Sequence, residues 1–378
     1  MPSHKNKRPL PGGVRRTIPA ALCSVGMMGA WLAAPVASAQ ASAHASGPSG
    51  VIHSVANVPS AKAALAYWTP ARLRAAKAAD IVIAGAKPHV LPPTGKRPGR
   101  PGHVAGGLPD GRGLAVTHPT KASTPEAFPY DSFTPSPSLW PTDPYKVNGK
   151  LFFTNNGGNF VCSATAVASA SGTSNENEIW TAGHCLVTTE PTNPNDHVVD
   201  SSAVFVPAYN GNVSNFDPYG EFVWNGGWET SSAWYHNSDP TEDEAAMTVR
   251  TSSTTRQTLG QAVGWDGFAW NQPVNERFVA FGYPAASPYN GLNMVEDIAA
   301  TAAQDSISGA DPTKPIAIGN PMTPGSSGGA WNIDWTTSGP GYINGHNDYK
   351  YTSQPLAMYS PYQDTLSNEV RCFGKTNC

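Results

Sequence analysis

The sequence predicts an all-β domain over residues 144–378, preceded by a largely disordered region. Two observations indicate this fold class. Turn signals recur along the domain and separate short runs that are rich in β-branched and aromatic residues. The domain also holds roughly 235 residues, which suits one all-β unit near the upper end of its usual size.

The predicted strands follow one another between those turns. They cover residues 151–154, 203–206, 246–249, 277–281 and 342–343. The turn signals are Asn-Gly pairs or triplets, at Asn156-Gly157-Gly158, Asn210-Gly211, Asn225-Gly226-Gly227 and Asn290-Gly291. Because Asn and Gly adopt positive φ with little strain, these pairs favour tight hairpins.

The first 39 residues have the pattern of a secretory signal peptide. Five positive charges come first, a mostly small and apolar run follows over residues 17–32, and Ala37-Ser38-Ala39 is a small-residue cleavage site. The apolar run includes Pro19 and is shorter than the roughly 20 residues that a membrane span requires. We therefore expect a secreted, extracellular protein whose mature form does not contact a membrane.

Residues 40–143 have a different composition from the domain that follows them. Residues 60–84 predict two short helices, with Thr69 as the N-cap of the second helix and Pro70 at its first position. Residues 85–143 are rich in Pro, Gly, Lys and Arg and have no apolar periodicity. That composition predicts a linker.

Charge separates the two parts of the chain. Residues 1–143 hold 15 Lys and Arg against 5 Asp and Glu, whereas residues 144–378 hold 9 against 22, and together these give the net charge of −3. An acidic domain repels phosphate, so the sequence argues against a nucleic-acid partner. The basic N-terminal part is instead expected to associate with the acidic domain through the long-range field.

Two short motifs supply a nucleophile and a base. One is Thr-Pro-Gly-Ser-Ser-Gly-Gly-Ala-Trp over residues 323–331, and the other is Trp-Thr-Ala-Gly-His-Cys over residues 180–185. A serine hydroxyl attacks a carbonyl only when a neighbouring imidazole takes its proton, which points to Ser327 and His184. The N–H groups of Gly325 and Ser327 are candidates for holding the oxyanion that develops. The pattern indicates acyl transfer.

These motifs resemble those of the chymotrypsin-like (trypsin-like) serine peptidases, in which the base precedes Cys and the nucleophile precedes Gly-Gly. The order of His, Asp and Ser along the chain also matches. The resemblance implies Asp243 as the third member of the triad, since it precedes an apolar strand in Asp-Glu-Ala-Ala-Met-Thr-Val. Asp239 and Asp266 are alternatives. Ser326 departs from the Asp or Asn that is usual before the nucleophile.

The cysteines support an oxidising exterior. Cys23 lies in the segment that we expect to be removed, and the four that remain allow three pairings. The resemblance implies a disulfide between Cys162 and Cys185, which leaves Cys372 and Cys378 to each other.

The resemblance also implies the architecture and the function. The fold would be two six-stranded antiparallel barrels with a short C-terminal helix over residues 364–371. The protein would be a monomeric secreted endopeptidase that acts on proteins or peptides, with a signal peptide (1–39), a pro-segment and linker (40–143) and a catalytic domain (144–378). Its own pro-segment would be an inhibitor, because Tyr-Trp-Thr-Pro-Ala-Arg-Leu resembles pro-segments of secreted bacterial serine peptidases. A linker that spans the cell wall is the alternative for this region.

No cofactor and no metal are expected, because no two histidines have the close spacing of a zinc motif. The alternative function is a binding or adhesion module on a peptidase-like scaffold that has lost its activity. Hydrolysis of casein would distinguish the two functions.

The resemblance also implies which residues line the substrate pocket. By the resemblance, the pocket that receives the side chain before the scissile bond lies near Pro321 and Met322, where no carboxylate is available to select Lys or Arg. His346 lies close to the position at which glutamyl endopeptidases place a histidine. Two interpretations of His346 therefore stay open. It selects a glutamate side chain in the substrate, or it only lines the wall of the pocket.

Overall fold

The computed structural model describes a defined part of the chain, and the fold is given for that part alone. The described residues are 50–79, 81–86, 88, 90–93, 99–109, 128–169, 177–190, 193–199, 201–334 and 340–373.

Short elements occupy the described residues before position 144. They are β1 (Val51–Val55), α1 (Ala61–Tyr67), α2 (Pro70–Ala75), β2 (Lys77–Ala78), β3 (Ile81–Ile83), β4 (Val90–Leu91), β5 (Gly102–Val104) and β6 (Tyr130–Phe133). The Thr69 side chain caps α2 with Pro70 at its first position, as the sequence predicts. The Ser60 side chain caps α1 in the same way.

The next part of the chain forms a closed barrel. Its elements are two 3₁₀ turns (Tyr145–Val147 and Gly183–Cys185), β7 (Asn148–Asn155), β8 (Gly158–Ala166), β9 (Glu178–Thr181), β10 (Val187–Glu190), β11 (Asn193–Val199), β12 (Ser201–Pro207), β13 (Phe222–Ser231), α3 (Ser232–Asn237), β14 (Ala245–Val249) and α4 (Leu259–Val263). The path β13-β12-β7-β8-β9-β14 returns to β13, because β13 also pairs with β14. The two strands β10 and β11 pair separately.

The last part of the chain forms the second sheet. Its elements are β15 (Gly267–Trp270), β16 (Arg277–Gly282), β17 (Val295–Asp305), β18 (Ile316–Gly319), β19 (Ala330–Ile333), β20 (Tyr342–His346), β21 (Tyr349–Tyr351), β22 (Ala357–Ser360) and α5 (Thr365–Arg371). The path β22-β18-β17-β16-β19 ends on β20, and β21 pairs with β22. Asn347 exchanges backbone hydrogen bonds with Gly328 and Gly329 just before β19, and the Asp348 N–H donates to Tyr359 of β22, so the run from β20 to β21 joins the two ends of the path into a second barrel.

Apolar side chains fill each barrel. The first core includes Leu151, Phe153, Ile179 and Met247, and the second includes Phe278, Ile318, Trp331 and Met358. These residues come from alternating positions of paired strands, so each barrel buries one face of its sheet.

The predicted strands agree with this architecture, but the turn predicted at Asn225-Gly226-Gly227 is wrong, because these residues lie inside β13, where the pairing with β14 shifts register between Trp224 and Trp228. All five predicted strands lie within observed ones, and Asn156 and Gly157 turn the β7–β8 hairpin at φ values of 45° and 77°. The C-terminal helix begins after Asp364, whose side chain accepts from the backbone of Leu366 and Ser367. The all-β class with a C-terminal helix is therefore confirmed.

The linker expected over residues 85–143 needs a correction where the structure describes it. There β4 and β6 pair with β17, and β5 pairs with β15. A two- to four-residue strand at the edge of an existing sheet needs only backbone hydrogen bonds, so it requires no apolar periodicity of its own. Composition alone therefore missed these strands.

Among the described residues, no helix is long and apolar enough to cross a membrane.

Candidate active site

His184 lies in the 3₁₀ turn Gly183–Cys185 that follows β9. The next residue, Cys185, forms a disulfide with Cys162 of β8, which confirms that predicted pairing. A Cβ at position 183 would lie 2.6 Å from Trp234 and 2.7 Å from the Asp243 carboxylate, so only glycine fits there. The disulfide and the close packing fix the backbone that carries the imidazole.

The other predicted pairing, between Cys372 and Cys378, stays a prediction, because Cys378 lies outside the described residues.

Asp243 is the carboxylate that meets His184. The imidazole Nδ1 lies 2.8 Å from Asp243 Oδ2, and the backbone N–H of His184 donates to Asp243 Oδ1 at 2.7 Å. Asp239 instead accepts from Thr241 and from the backbone of Ala310. Asp266 accepts from Asn332. Of the three candidates in the sequence, the structure therefore brings only Asp243 to the histidine.

Burial and charge oppose each other in this pair. Burial lowers the pKa of His184, but the Asp243 carboxylate outweighs it and holds that pKa well above its ordinary value. Burial likewise raises the pKa of Asp243, and the charge and hydrogen bonds of His184 bring it below its ordinary value. The pair therefore favours an imidazolium beside a carboxylate, which is the charge state that follows proton transfer from a serine.

Ser327 lies in a tight turn against this pair. Gly325 and Gly328 take φ values of +99° and +80°, which favour glycine. The backbone N–H of Ser163 in β8 donates to the Ser327 carbonyl at 2.7 Å. That carbonyl also lies 3.8 Å from Cys185 Sγ, in the residue next to His184. The fold thus brings together His184 and Ser327, which are 143 positions apart in the sequence.

A further carboxyl, Asp348, lies in the two-residue break between β20 and β21. Its Oδ1 is 3.4 Å from His184 Nδ1, and its carbonyl accepts a hydrogen bond from Ser327 Oγ at 3.3 Å. Burial and the neighbouring Asp243 raise the pKa of Asp348 well above its ordinary value. The sequence does not identify this residue as part of the site. Its only local signal is an acidic side chain inside a predicted strand region.

His184, Asp243 and Asp348 bring potential metal-ligand atoms within 4.8 Å of one another. The Nδ1–Oδ2 distance of 2.8 Å is that of a hydrogen bond, with the proton between the two atoms. That nitrogen then has no lone pair to offer a metal, so the arrangement is that of an imidazole–carboxylate pair.

The predicted pocket residues lie in different surroundings. Met322 is fully buried in the core of the second barrel, whereas Pro321 is partly exposed. His346 is fully buried, and its Nε2 lies 2.9 Å from the backbone carbonyl of Asp243. Burial lowers the pKa of His346 to about 4. A neutral imidazole that contacts Asp243 does not provide the positive charge that would select a glutamate side chain.

Two strand edges flank Ser327, and both are paired with the N-terminal region. On one side β2 pairs with Phe160 and Val161 of β8, and the Ala79 N–H donates to the Val161 carbonyl at 3.0 Å. On the other side β3 pairs in parallel with β21, which follows Asp348. Residues 77–79 and 81–83 thus pair with the two strands that lie next to the hydrogen-bond partners of Ser327, which are Ser163 in β8 and Asp348 just before β21, and the serine is only 1% exposed.

Comparison with known proteins gives structural matches. No protein-family model matches the sequence, and no curated protein does. The thermostable serine protease AL20 from an extremophilic microorganism is 32% identical, with a TM-score of 0.50 over 62% of this chain and 99% of that one. Protease Anisep from Arthrobacter nicotinovorans is also 32% identical, with a TM-score of 0.48 over 60% and 94% of the two chains. A Glu endopeptidase is 15% identical, with a TM-score of 0.44 over 63% and 94%.

Proposed function

The chain belongs to the chymotrypsin-like serine peptidases, and we propose that it is a secreted endopeptidase that forms its acyl-enzyme on Ser327. The observation that carries this proposal is the His184–Asp243 pair beside the Ser327 turn, with Nδ1 and Oδ2 2.8 Å apart. These three side chains have the chemistry that peptide hydrolysis through an acyl-enzyme requires.

In the proposed mechanism Ser327 Oγ attacks the scissile carbonyl and its proton passes to His184 Nε2. That nitrogen is buried and makes no hydrogen bond within the described part of the chain. Asp243 holds the other ring nitrogen and stabilises the imidazolium that forms. The N–H groups of Gly325 and Ser327 hold the oxyanion, and His184 then protonates the leaving amine. Water repeats the sequence on the acyl-enzyme and releases the second product.

The test is hydrolysis of casein by the secreted, processed protein. Wild type should clear a casein film, and Ser327→Ala should not. A peptidase-like binding module that has lost activity would show no clearing by either protein. A Ser327→Ala protein that clears as fast as wild type would exclude Ser327 as the nucleophile.

The proposal does not extend to selectivity for glutamate, because His346 is buried and neutral against the Asp243 backbone. Profiling the processed enzyme on a peptide library would identify the side chain that it prefers.

We also propose that the region before residue 144 keeps the enzyme inactive until it is removed. Residues 77–79 and 81–83 pair with the two strand edges beside Ser327, and Asp80 between them lies outside the described residues. A polypeptide substrate needs the same edges to present its carbonyl to the serine. The segment must therefore leave before a substrate can bind.

An aromatic side chain anchors this segment to the first barrel. Trp68 is 2% exposed, packs on Phe152, and donates from its indole nitrogen to the Ser202 carbonyl at 2.7 Å. Arg72 belongs to the basic part that we expected to associate with the acidic domain through charge, but its guanidinium stacks on Tyr67 and donates to the Tyr67 carbonyl. The contacts that carry the docking are therefore apolar burial and backbone pairing.

Trp68 and Arg72 form a matched pair of positions for the test of inhibition. In the intact chain, Trp68→Ala should raise the initial rate of peptide hydrolysis, whereas Arg72→Ala should behave like wild type. An electrophoretic gel taken alongside the assay checks that the chain is still uncleaved. If intact wild type is as active as the processed protein, the segment does not inhibit, and the wall-spanning linker becomes the better interpretation.

A further inference from the structure

Asp348 gives the site a second carboxyl group, and the inference below rests on the proposed function. Its side chain is fully buried, and its Oδ1 lies 3.4 Å from the same Nδ1 that faces Asp243. Its backbone carbonyl accepts the hydroxyl of Ser327 at 3.3 Å. One residue therefore contacts the base through its side chain and the nucleophile through its backbone.

The two carboxyl groups are not equivalent. Asp243 accepts two short hydrogen bonds from His184, one from the ring and one from the backbone. Among the described residues, the Asp348 carboxyl accepts no backbone N–H; it lies 3.4 Å from the same Nδ1 and shares a hydrogen bond with the Asp243 carboxyl, which raises the pKa of Asp348 and lowers that of Asp243. A buried negative charge needs such bonds, so Asp243 is the better place for it.

Two carboxylates this close cannot both stay ionised beside a single imidazole. The other titratable groups that face the site do not add a positive charge. His346, on the Asp243 carbonyl, is held neutral by burial, which lowers its pKa to about 4. Burial raises the pKa of Glu244, next to Asp243 in the chain, and that of Tyr349, next to Asp348, so both favour their neutral forms.

We propose that Asp348 is a positioning residue for His184, which it supports as a neutral carboxylic acid while Asp243 carries the single negative charge. When Asp243 is removed, Asp348 releases its proton to solvent and accepts the Nδ1–H in its place. The site then keeps one carboxylate beside the imidazole, and the number of charges around His184 does not change.

The experiment is a double-mutant cycle on kcat/KM across the pH range. It uses wild type, Asp243→Ala, Asp348→Asn and the double variant. Each is secreted as the full chain and processed by the same immobilised protease.

Without a second acid, removing Asp243 should lower kcat/KM by about 10⁴-fold. We expect Asp243→Ala to lose only about 10²-fold and the double variant to lose the full about 10⁴-fold. Equal rates for the double variant and Asp243→Ala would overturn the proposal.

The pH profile distinguishes a neutral acid from an ionised one. Asp348→Asn replaces a neutral group by a neutral group, so the midpoint of the acid limb should stay where it is in wild type, although the rate falls by up to about tenfold. A midpoint that falls by about one pH unit or more would mean that a negative charge was lost, and would contradict the proposal.

The controls separate the possible causes of failure. Asp266→Asn replaces another fully buried acid, which binds Asn332 outside the site, and should not change the pH midpoint. Thermal unfolding of each variant identifies a loss of fold, and Asp348→Ser provides a second, smaller replacement if the Asn variant does not fold. Ser327→Ala in the same assay tests the proposed function itself, independently of Asp348.

Discussion

At the scale of single residues, the site depends on how one carboxylate holds one imidazole. Asp243 accepts from both the ring and the backbone of His184, so the ring cannot rotate without breaking a buried hydrogen bond. An unpaired buried carboxylate is unfavourable by several kcal/mol, which makes this orientation strongly preferred. The same contact sets both the position and the charge of the base.

The first prediction concerns the joint action of the triad. Ser327→Ala and His184→Ala should each lower the catalytic rate by roughly 10⁶-fold, because neither group works without the other. The double variant should be no slower than either single variant. Single-turnover kinetics on a peptide ester measure all three rates, and effects that multiply would show that the two side chains act independently.

The second prediction concerns pH. The sequence alone suggests that activity rises through a pKa near roughly 6 to 7, as for an ordinary histidine. In the structure the Asp243 carboxylate holds the pKa of His184 above that value. Because only the neutral imidazole accepts the serine proton, a raised pKa moves the loss of activity on acidification to higher pH. A kcat/KM profile of the processed enzyme should show its acid limb above pH 6.5, and a limb below it would contradict the assigned pair.

At the scale of elements, turns between strands carry the site. Both Gly157, in the β7–β8 hairpin, and Gly328, beside the nucleophile, have positive φ. Their surroundings differ. A Cβ at position 157 would meet nothing within 4 Å, whereas one at position 328 would overlap Thr181, the Ser163 carbonyl and the backbone of Ala182.

The third prediction uses these two glycines as a matched pair. Gly157→Ala adds only backbone strain and should lower the free energy of unfolding by about 1 kcal/mol, with activity retained. Gly328→Ala adds the same strain and also forces the Ser327 turn to shift, which should lower kcat/KM by at least about 10²-fold. Urea unfolding and peptide hydrolysis measure the two effects. Equal activity of the two variants would show that the turn accommodates a methyl group.

At the scale of the whole molecule, the two barrels share one site, and chain from before residue 144 pairs with both of them. The first barrel supplies His184 and Asp243, and the second follows with Ser327 and Asp348. The strands β1 and β2 extend the first sheet, and β3 to β6 extend the second. The basic N-terminal part and the acidic domain therefore meet chiefly through backbone pairing, so charge asymmetry is not the main source of specificity.

The fourth prediction concerns the disulfide that joins β8 to the turn of the base. Cys162 and Cys185 are 23 residues apart. A closed loop of this length is expected to stabilise the fold by about 3 kcal/mol. The variant that replaces both cysteines by Ser should lose that much in urea unfolding, compared with wild type under the same oxidising conditions. An unchanged midpoint would mean that the packing around Trp234 and Gly183 is sufficient without the bond.

The sequence by itself determined the parts whose physics is local. The β7–β8 hairpin, the Thr69 helix cap, and the motifs around His184 and Ser327 each depend on a few adjacent residues. Their conformational preferences therefore act before any tertiary contact forms. The family's cysteine pattern likewise implied the Cys162–Cys185 bond.

Only the tertiary structure decided which distant groups meet. Asp243 lies 59 residues from His184, and three acidic residues were possible partners until the packing of β9 against β14 selected one. The contact of Asp348 with the imidazole, the burial of His346 and the pairing of β2 and β3 beside Ser327 have no local signature. Each results from strand register and from burial among residues far apart in sequence, and a pattern of adjacent residues does not carry that information.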